Sequence, residues 1–98
     1  MIKIVANNYI RADALDEYLA LNREIVEKTN ANDKGCISYA LHQDVNDPLH
    51  FAMLEEWEDQ ASIDAHMKSK HFTEIIPKVV ATSDPAKEGA ITFFKKLF

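Results

Sequence analysis

Two histidines set five residues apart, His66 and His71, with Phe72 directly after the second, are the side chains of this sequence best suited to move protons. Nine residues before His66 stands Trp57, the chain's one tryptophan, and Glu55 lies two residues before that. Imidazole exchanges protons near neutral pH. Asn8 and Tyr39 contribute an amide and a hydroxyl in otherwise apolar stretches, where a polar group needs a partner or a ligand. Asn8, Tyr39, Glu55, Trp57, His66, His71 and Phe72 are therefore the residues that could line an apolar pocket with a few polar groups pointing inward. Each also has a plainer role. Trp57 can be a packed indole at a strand end, Glu55 a solvated or capping carboxylate, Tyr39 a core residue with a hydroxyl tip, and the histidines helix-end or interface residues.

Other chemistries fit less well. On one continuous helix, five residues place His66 and His71 about 140° apart, whereas helical metal pairs use i, i+3 or i+4 spacing. A break at Ser69 could bring them together, but no thiol or carboxylate completes an obvious ligand set, so no native metal is expected. Ser38 and Cys36 lack the glycine-rich elbow of a nucleophile. With only Gly35 and Gly89, no phosphate-cradling loop can form, and nucleotide cofactors are not expected.

The remaining composition bounds the partners. Net charge is -5, and the Lys and Arg residues are scattered, so nucleic acid is not an expected partner. No apolar run approaches the roughly 20 residues of a membrane helix, and the opening MIKIVANNYI lacks the features of a secretory signal. A cytoplasmic protein without membrane partners is expected. Cys36 is alone, reads as a half-buried inert thiol, and permits no intrachain disulfide.

The elements that would position these residues follow from periodicity. Residues 2–10 alternate with β-branched side chains and predict a first strand. Asp13 is placed to cap a helix whose first turn holds Asp16 and Glu17, and whose stripe of Leu15, Tyr18, Leu19, Asn22, Ile25, Val26 and Thr29 has helical spacing. That helix should fade over 30–33, with Gly35 releasing the chain. Cys36 to Gln43 predicts the second strand, D-V-N-D-P a turn, and His50 to Trp57 the third strand, paired as a hairpin. Asp59 should cap a second helical region that bends near Ser69 and is kinked or shortened by Pro77. Residues 90–98 predict the fourth strand.

The order strand, helix, strand, strand, helix, strand is the ferredoxin-like βαββαβ arrangement, an α+β fold spanning 1–98 as one domain. Two helical regions can cover only one face of a four-stranded antiparallel sheet, while strands one, three and four carry apolar residues on both. A second copy of the chain is the economical cover, and a 98-residue domain, which buries only about two-thirds of its unfolded surface, gains from it.

Glu55, Trp57, His66, His71 and Phe72, preceded by Gly35-Cys36-Ile37-Ser38-Tyr39, resemble the antibiotic biosynthesis monooxygenase family of quinol-monooxygenase-like proteins over nearly the whole chain. The resemblance implies a homodimer whose two sheets close into a dimeric α+β barrel. It also implies oxidation of a small electron-rich aromatic or quinol substrate by molecular oxygen, with no flavin, haem or metal. His66 or His71 would be the base, His66 first because it lies one turn beyond Ile63; Asn8 would donate to the developing anion, and Trp57 and Phe72 would wall the pocket. Haem-degrading relatives match at Asn8, but their Trp and His places are taken by His66 and Ile76, so haem is not expected. A sugar-signal isomerase of the same fold also carries paired histidines. An isomerase of a small phosphorylated ketone and a non-catalytic binding module therefore stand as alternatives.

Overall fold

The computed structural model describes residues 1–98, and the hairpin at its centre sets the rest. Strand β2 (Cys36–Asp44) turns through Val45 and Asn46 into β3 (Asp47–Trp57). β1 (Ile2–Tyr9) lies antiparallel on the far side of β3, and β4 (Ala90–Lys95) lies antiparallel on β1. The sheet order is β2-β3-β1-β4, the topology expected of the βαββαβ pattern. Helices α1 (Leu15–Asn32), α2 (Gln60–Lys68) and α3 (Lys70–Val80) pack on one face. Along β3 that face is legible in the burial alternation: Phe51, Met53, Glu55 and Trp57 are buried, while Ala52, Leu54 and Glu56 between them are only half-buried.

Register carries this two-sidedness across the sheet. Trp57 sits opposite Ile2, Glu55 opposite Ile4 and Tyr39, and Phe51 opposite Asn8, all on the helix side. Val5 opposite Leu54, and Phe94 opposite Lys3, occupy the other face. The core is built from Trp57, Tyr18, Phe51, Ile4, Ile10, Ile25 and Ile63, each essentially inaccessible. No helix is long and apolar enough to cross a membrane.

Four local expectations change. Asp13 does not cap α1: residues 12–14 form a 3-10 turn, its carboxylate pairs with Arg11 Nε at 3.2 Å, and Ala14 precedes the helix without a side-chain cap. β3 begins at Asp47 rather than His50, because Pro48 falls beside a register shift at Gln43–Asp44, where the ladder is already irregular. β4 ends at Lys95, opposite Ile2 at the start of β1, with one further backbone bond from Lys96 N to Met1 O, and Leu97 and Phe98 are left exposed. Pro77 is held within α3, which continues to Val80.

Gly35 has the role its position suggested. Its φ of 83° is open to glycine and strained for other residues, and a Cβ there would collide with Ser62 on α2.

Candidate functional site

Two serine and aspartate caps bring the site together. The Asp59 carboxylate accepts from Ser62 N at 2.8 Å and from Ser62 Oγ at 2.7 Å, starting α2 two residues after Trp57. One turn beyond the inward Ile63, His66 is carried into the core at 2% exposure. Ser69 then ends α2 and starts α3: its Oγ donates to His66 O at 2.6 Å and accepts from Phe72 N at 3.3 Å, with extended backbone at ψ 154°. This break cancels the 140° offset of a continuous helix, and the two imidazole centroids come within 6.0 Å.

They meet at Asp33. At the C-cap of α1, with its N–H on Thr29 O, Asp33 presents its carboxylate to both rings. His66 Nδ1 is 2.5 Å from Oδ2, and His71 Nε2 lies 3.0 Å from Oδ1 and 3.1 Å from Oδ2. Asp33 is the member of this cluster that the residue pattern did not single out. It stood within the fading end of the helix, and its one signal was an acid two residues before the glycine that turns the chain under α2.

A carboxylate only accepts, so His66 Nδ1 carries the proton and Nε2 holds a lone pair. Nε2 is fully buried and has no hydrogen-bond partner. Burial lowers the His66 pKa, against the opposing pull of Asp33, and the ring is neutral at pH 7. Around it stand Trp57 at 4.7 Å, Phe72 at 4.9 Å and Tyr39 at 5.2 Å between ring centroids. Trp57 and Tyr39 are buried and Phe72 is half-buried, so Phe72 is the side of this shell nearest solvent.

Glu55 completes the group from beneath. Its Oε1 accepts from Trp57 Nε1 at 3.0 Å, and no lysine, arginine or histidine pairs with it. Burial raises its pKa to about 7, with the indole bond pulling the other way. Tyr39 is pushed above the ordinary tyrosine range by burial and by the nearby Glu55, and stays neutral. The Cys36 thiol is raised to about 11 by burial first and then by Asp33 and Glu55, which makes it the inert thiol expected.

Six of the seven residues singled out from the sequence thus share one place, and Asn8 does not. It pairs with Phe51, six strand positions from Ile2 in the Trp57 row, or about 20 Å along the sheet. There its amide acts on the buried Tyr18 hydroxyl without closing a hydrogen bond to it. Within one chain Asn8 is thus remote from His66.

Asp33, His66 and His71 also offer three ligand atoms within 4.8 Å of one another, so the carboxylate that a metal set wanted does exist. The His66 environment opposes such use. A metal on Nδ1 would move the proton to Nε2, leaving a buried N–H with no acceptor, at a cost of about 1 to 3 kcal/mol.

Clefts of modest size flank the cluster. One of about 150 Å³ is bordered by Asp33, Lys34, Ser62 and His66, and one of about 250 Å³ by Lys28, Lys70, His71 and Glu74. A larger one of about 420 Å³ lies between α1 and β2, near Leu19, Val26 and Leu41, away from the ionisable cluster.

The family model for antibiotic biosynthesis monooxygenase matches residues 1–78. The chain belongs to that family. The "Putative monooxygenase YcnE" of Bacillus subtilis (strain 168) is 28% identical over 78 residues, 80% of this chain and 81% of the relative. A crystal structure of an antibiotic biosynthesis monooxygenase is 36% identical with TM-score 0.90, covering 99% of both chains. A conserved protein from Methanosarcina mazei Go1 is 35% identical with TM-score 0.91, covering 98% of this chain and 92% of that one. Family membership thus joins the geometry in supporting a monooxygenase-like role.

Proposed function

We propose that this family member is a cofactor-independent monooxygenase that oxidises a small electron-rich aromatic or quinol substrate with molecular oxygen. The observation that carries the reading is the unprotonated, unpartnered Nε2 of His66, fixed by Asp33 and enclosed by three aromatic rings. A base in that state takes a phenolic proton, and the resulting anion is rich enough in electrons to reduce oxygen itself. For a quinol the balance is quinol plus O2 to hydroxyquinone plus water, so every electron comes from the substrate. His66 is the base, Asp33 holds its tautomer, His71 anchors Asp33 from the other side, and Trp57, Tyr39 and Phe72 bind the ring. Phe72 is the side that must yield to admit it.

The working unit we propose is a homodimer closed through the bare sheet face, where Val5, Leu54 and the half-exposed Phe94 have no helix above them. Oxygen uptake with a panel of quinols and polyphenols tests the function. Wild type should consume oxygen, and His66→Ala should lower turnover roughly 100- to 10,000-fold. Equal rates in the two would refute the assignment.

The cleft beside His71 favours one other reading, isomerisation of a small phosphorylated ketone, with Lys70 on the phosphate; Lys28 on the same cleft is paired with Glu24 at 2.6 Å. Turnover of such a ketone without oxygen uptake would put it first. Arg11 is not free to join it, being held by Asp13 and by the carbonyls of Ala81 and Ser83.

A further inference from the structure

A base alone leaves this reaction unfinished. When oxygen inserts one atom into the ring, the other must leave as water, and the oxygen–oxygen bond breaks readily only if its departing oxygen is protonated. His66 starts neutral and removes a proton, so the site requires a second group that starts protonated and gives one up.

Glu55 has the geometry for that task. It projects from β3 on the helix side, between Ile4 of β1 and Tyr39 of β2, and is 7% exposed. Trp57 stands between it and His66: the indole N–H holds Oε1 at 3.0 Å, while the indole ring lies 4.7 Å from the imidazole. With Oε1 engaged by the indole, Oε2 accepts from no protein donor. The ionisable groups around it are Tyr39 and Cys36 on β2, Asp33 at the end of α1, and His66 on α2 beyond the indole. None of these forms an ion pair with it, so a proton on Oε2 is the means by which a carboxyl so placed avoids a buried charge.

We propose that Glu55 is the general acid of this site, protonating from Oε2 the oxygen that departs when the ring-bound peroxide is cleaved. The inference rests on the monooxygenase reading above. In the balanced step, His66 Nε2 takes the phenolic proton and the substrate anion passes electrons to O2, forming a carbon–oxygen bond. Glu55 supplies its proton to the outer oxygen and the oxygen–oxygen bond then breaks as the oxygenated ring carbon gives up its hydrogen as a second proton, so that the departing oxygen leaves as water and the ring is left as hydroxyquinone. The proton held by His66 returns to Glu55, which resets both groups. Without the acid, the same electrons end in quinone and hydrogen peroxide, since quinol plus O2 also balances as quinone plus H2O2.

The product ratio is the test, measured as hydroxyquinone, hydrogen peroxide and oxygen consumed across pH 5 to 9 for wild type, Glu55→Gln and His66→Ala. Glutamine keeps the shape and the indole bond but has no proton to give. Wild type should form hydroxyquinone with an alkaline limb centred near pH 7. Glu55→Gln should lose that limb, make hydroxyquinone at least about 100-fold more slowly, and divert the oxygen it consumes to peroxide. His66→Ala should consume little oxygen and make neither product. A Glu55→Gln protein that keeps the limb and the wild-type product ratio, beside an inactive His66→Ala, overturns the acid role and leaves the monooxygenase reading intact. No oxygen uptake by folded wild type overturns both.

Discussion

Replacing Glu55 by glutamine should become progressively more favourable to stability as pH rises from acid to alkaline. In the folded protein the carboxyl is raised from 4.5 to about 7 by burial, with a single indole N–H opposing that shift and no cation nearby. An acid whose folded pKa lies above its unfolded one binds more protons folded than unfolded between those values. Its contribution to stability is then fully present below pH 4.5 and is lost as pH rises through about 7. The rise from 4.5 to about 7, at about 1.36 kcal/mol per pH unit, corresponds to about 3 kcal/mol. The substituted glutamine carries no such cost and still accepts from Trp57 Nε1. The histidine effect runs the other way: the lowered His66 pKa removes stability as pH falls below 6.5, but both proteins share it and it cancels in their difference. Urea denaturation of both proteins from pH 4 to 9, read by Trp57 fluorescence, should show Glu55→Gln gaining about 3 kcal/mol on wild type, most of it between pH 4.5 and 7.5. Parallel stability curves would show that the carboxyl ionises normally, and would remove the physical basis for its role as an acid.

Asp33→Ala should strip His66 of its only partner and His71 of an acceptor, lowering stability by about 3 kcal/mol. Calorimetry should then show a melting temperature roughly 12 to 20 °C lower for a domain of this size. Turnover should fall with it, because the His66 tautomer is no longer fixed. Gly35→Ala, which forces a Cβ into the φ 83° turn and against Ser62, should cost about 2 kcal/mol or more in the same denaturation assay, with no change in the pH profile. Phe94→Glu, on the bare sheet face, should convert a dimer into an 11.2 kDa species by light scattering; a wild-type protein already monomeric at micromolar concentration would refute the dimer.

Much of this molecule was legible in its residue pattern because its strongest signals are periodic. Helix α1 and the break at Ser69 follow from spacing and capping and appear as expected, although Leu19 of the α1 stripe is exposed. Boundaries set by tertiary pairing were not legible: β4 stops opposite the start of β1, and Asp13 is drawn off by Arg11 before it can cap. Within the site, the residues between 55 and 72 were found together because strand and helix are consecutive there. Asp33 was invisible, since only the fold brings a residue 33 positions before His66 into contact with it. Asn8 lies apart for the converse reason: distance along a strand depends on register, and the pairing Asn8–Phe51 puts it at the end of β1 away from the Trp57 row.

The irregular pairing at both ends of β2 bears on how copies of this chain can meet. β2 and β4 are the outer strands, and an outer strand with a regular ladder invites another chain to add to it. β2 slips register between Cys36 and Ser38 and again between Gln43 and Asp44, so a straight incoming strand would find bonding groups out of step at each end. β4 offers only six residues. Open-ended growth of the sheet into fibres is thereby disfavoured at both margins, which leaves the broad bare face, and not an edge, as the surface for the pairing proposed above.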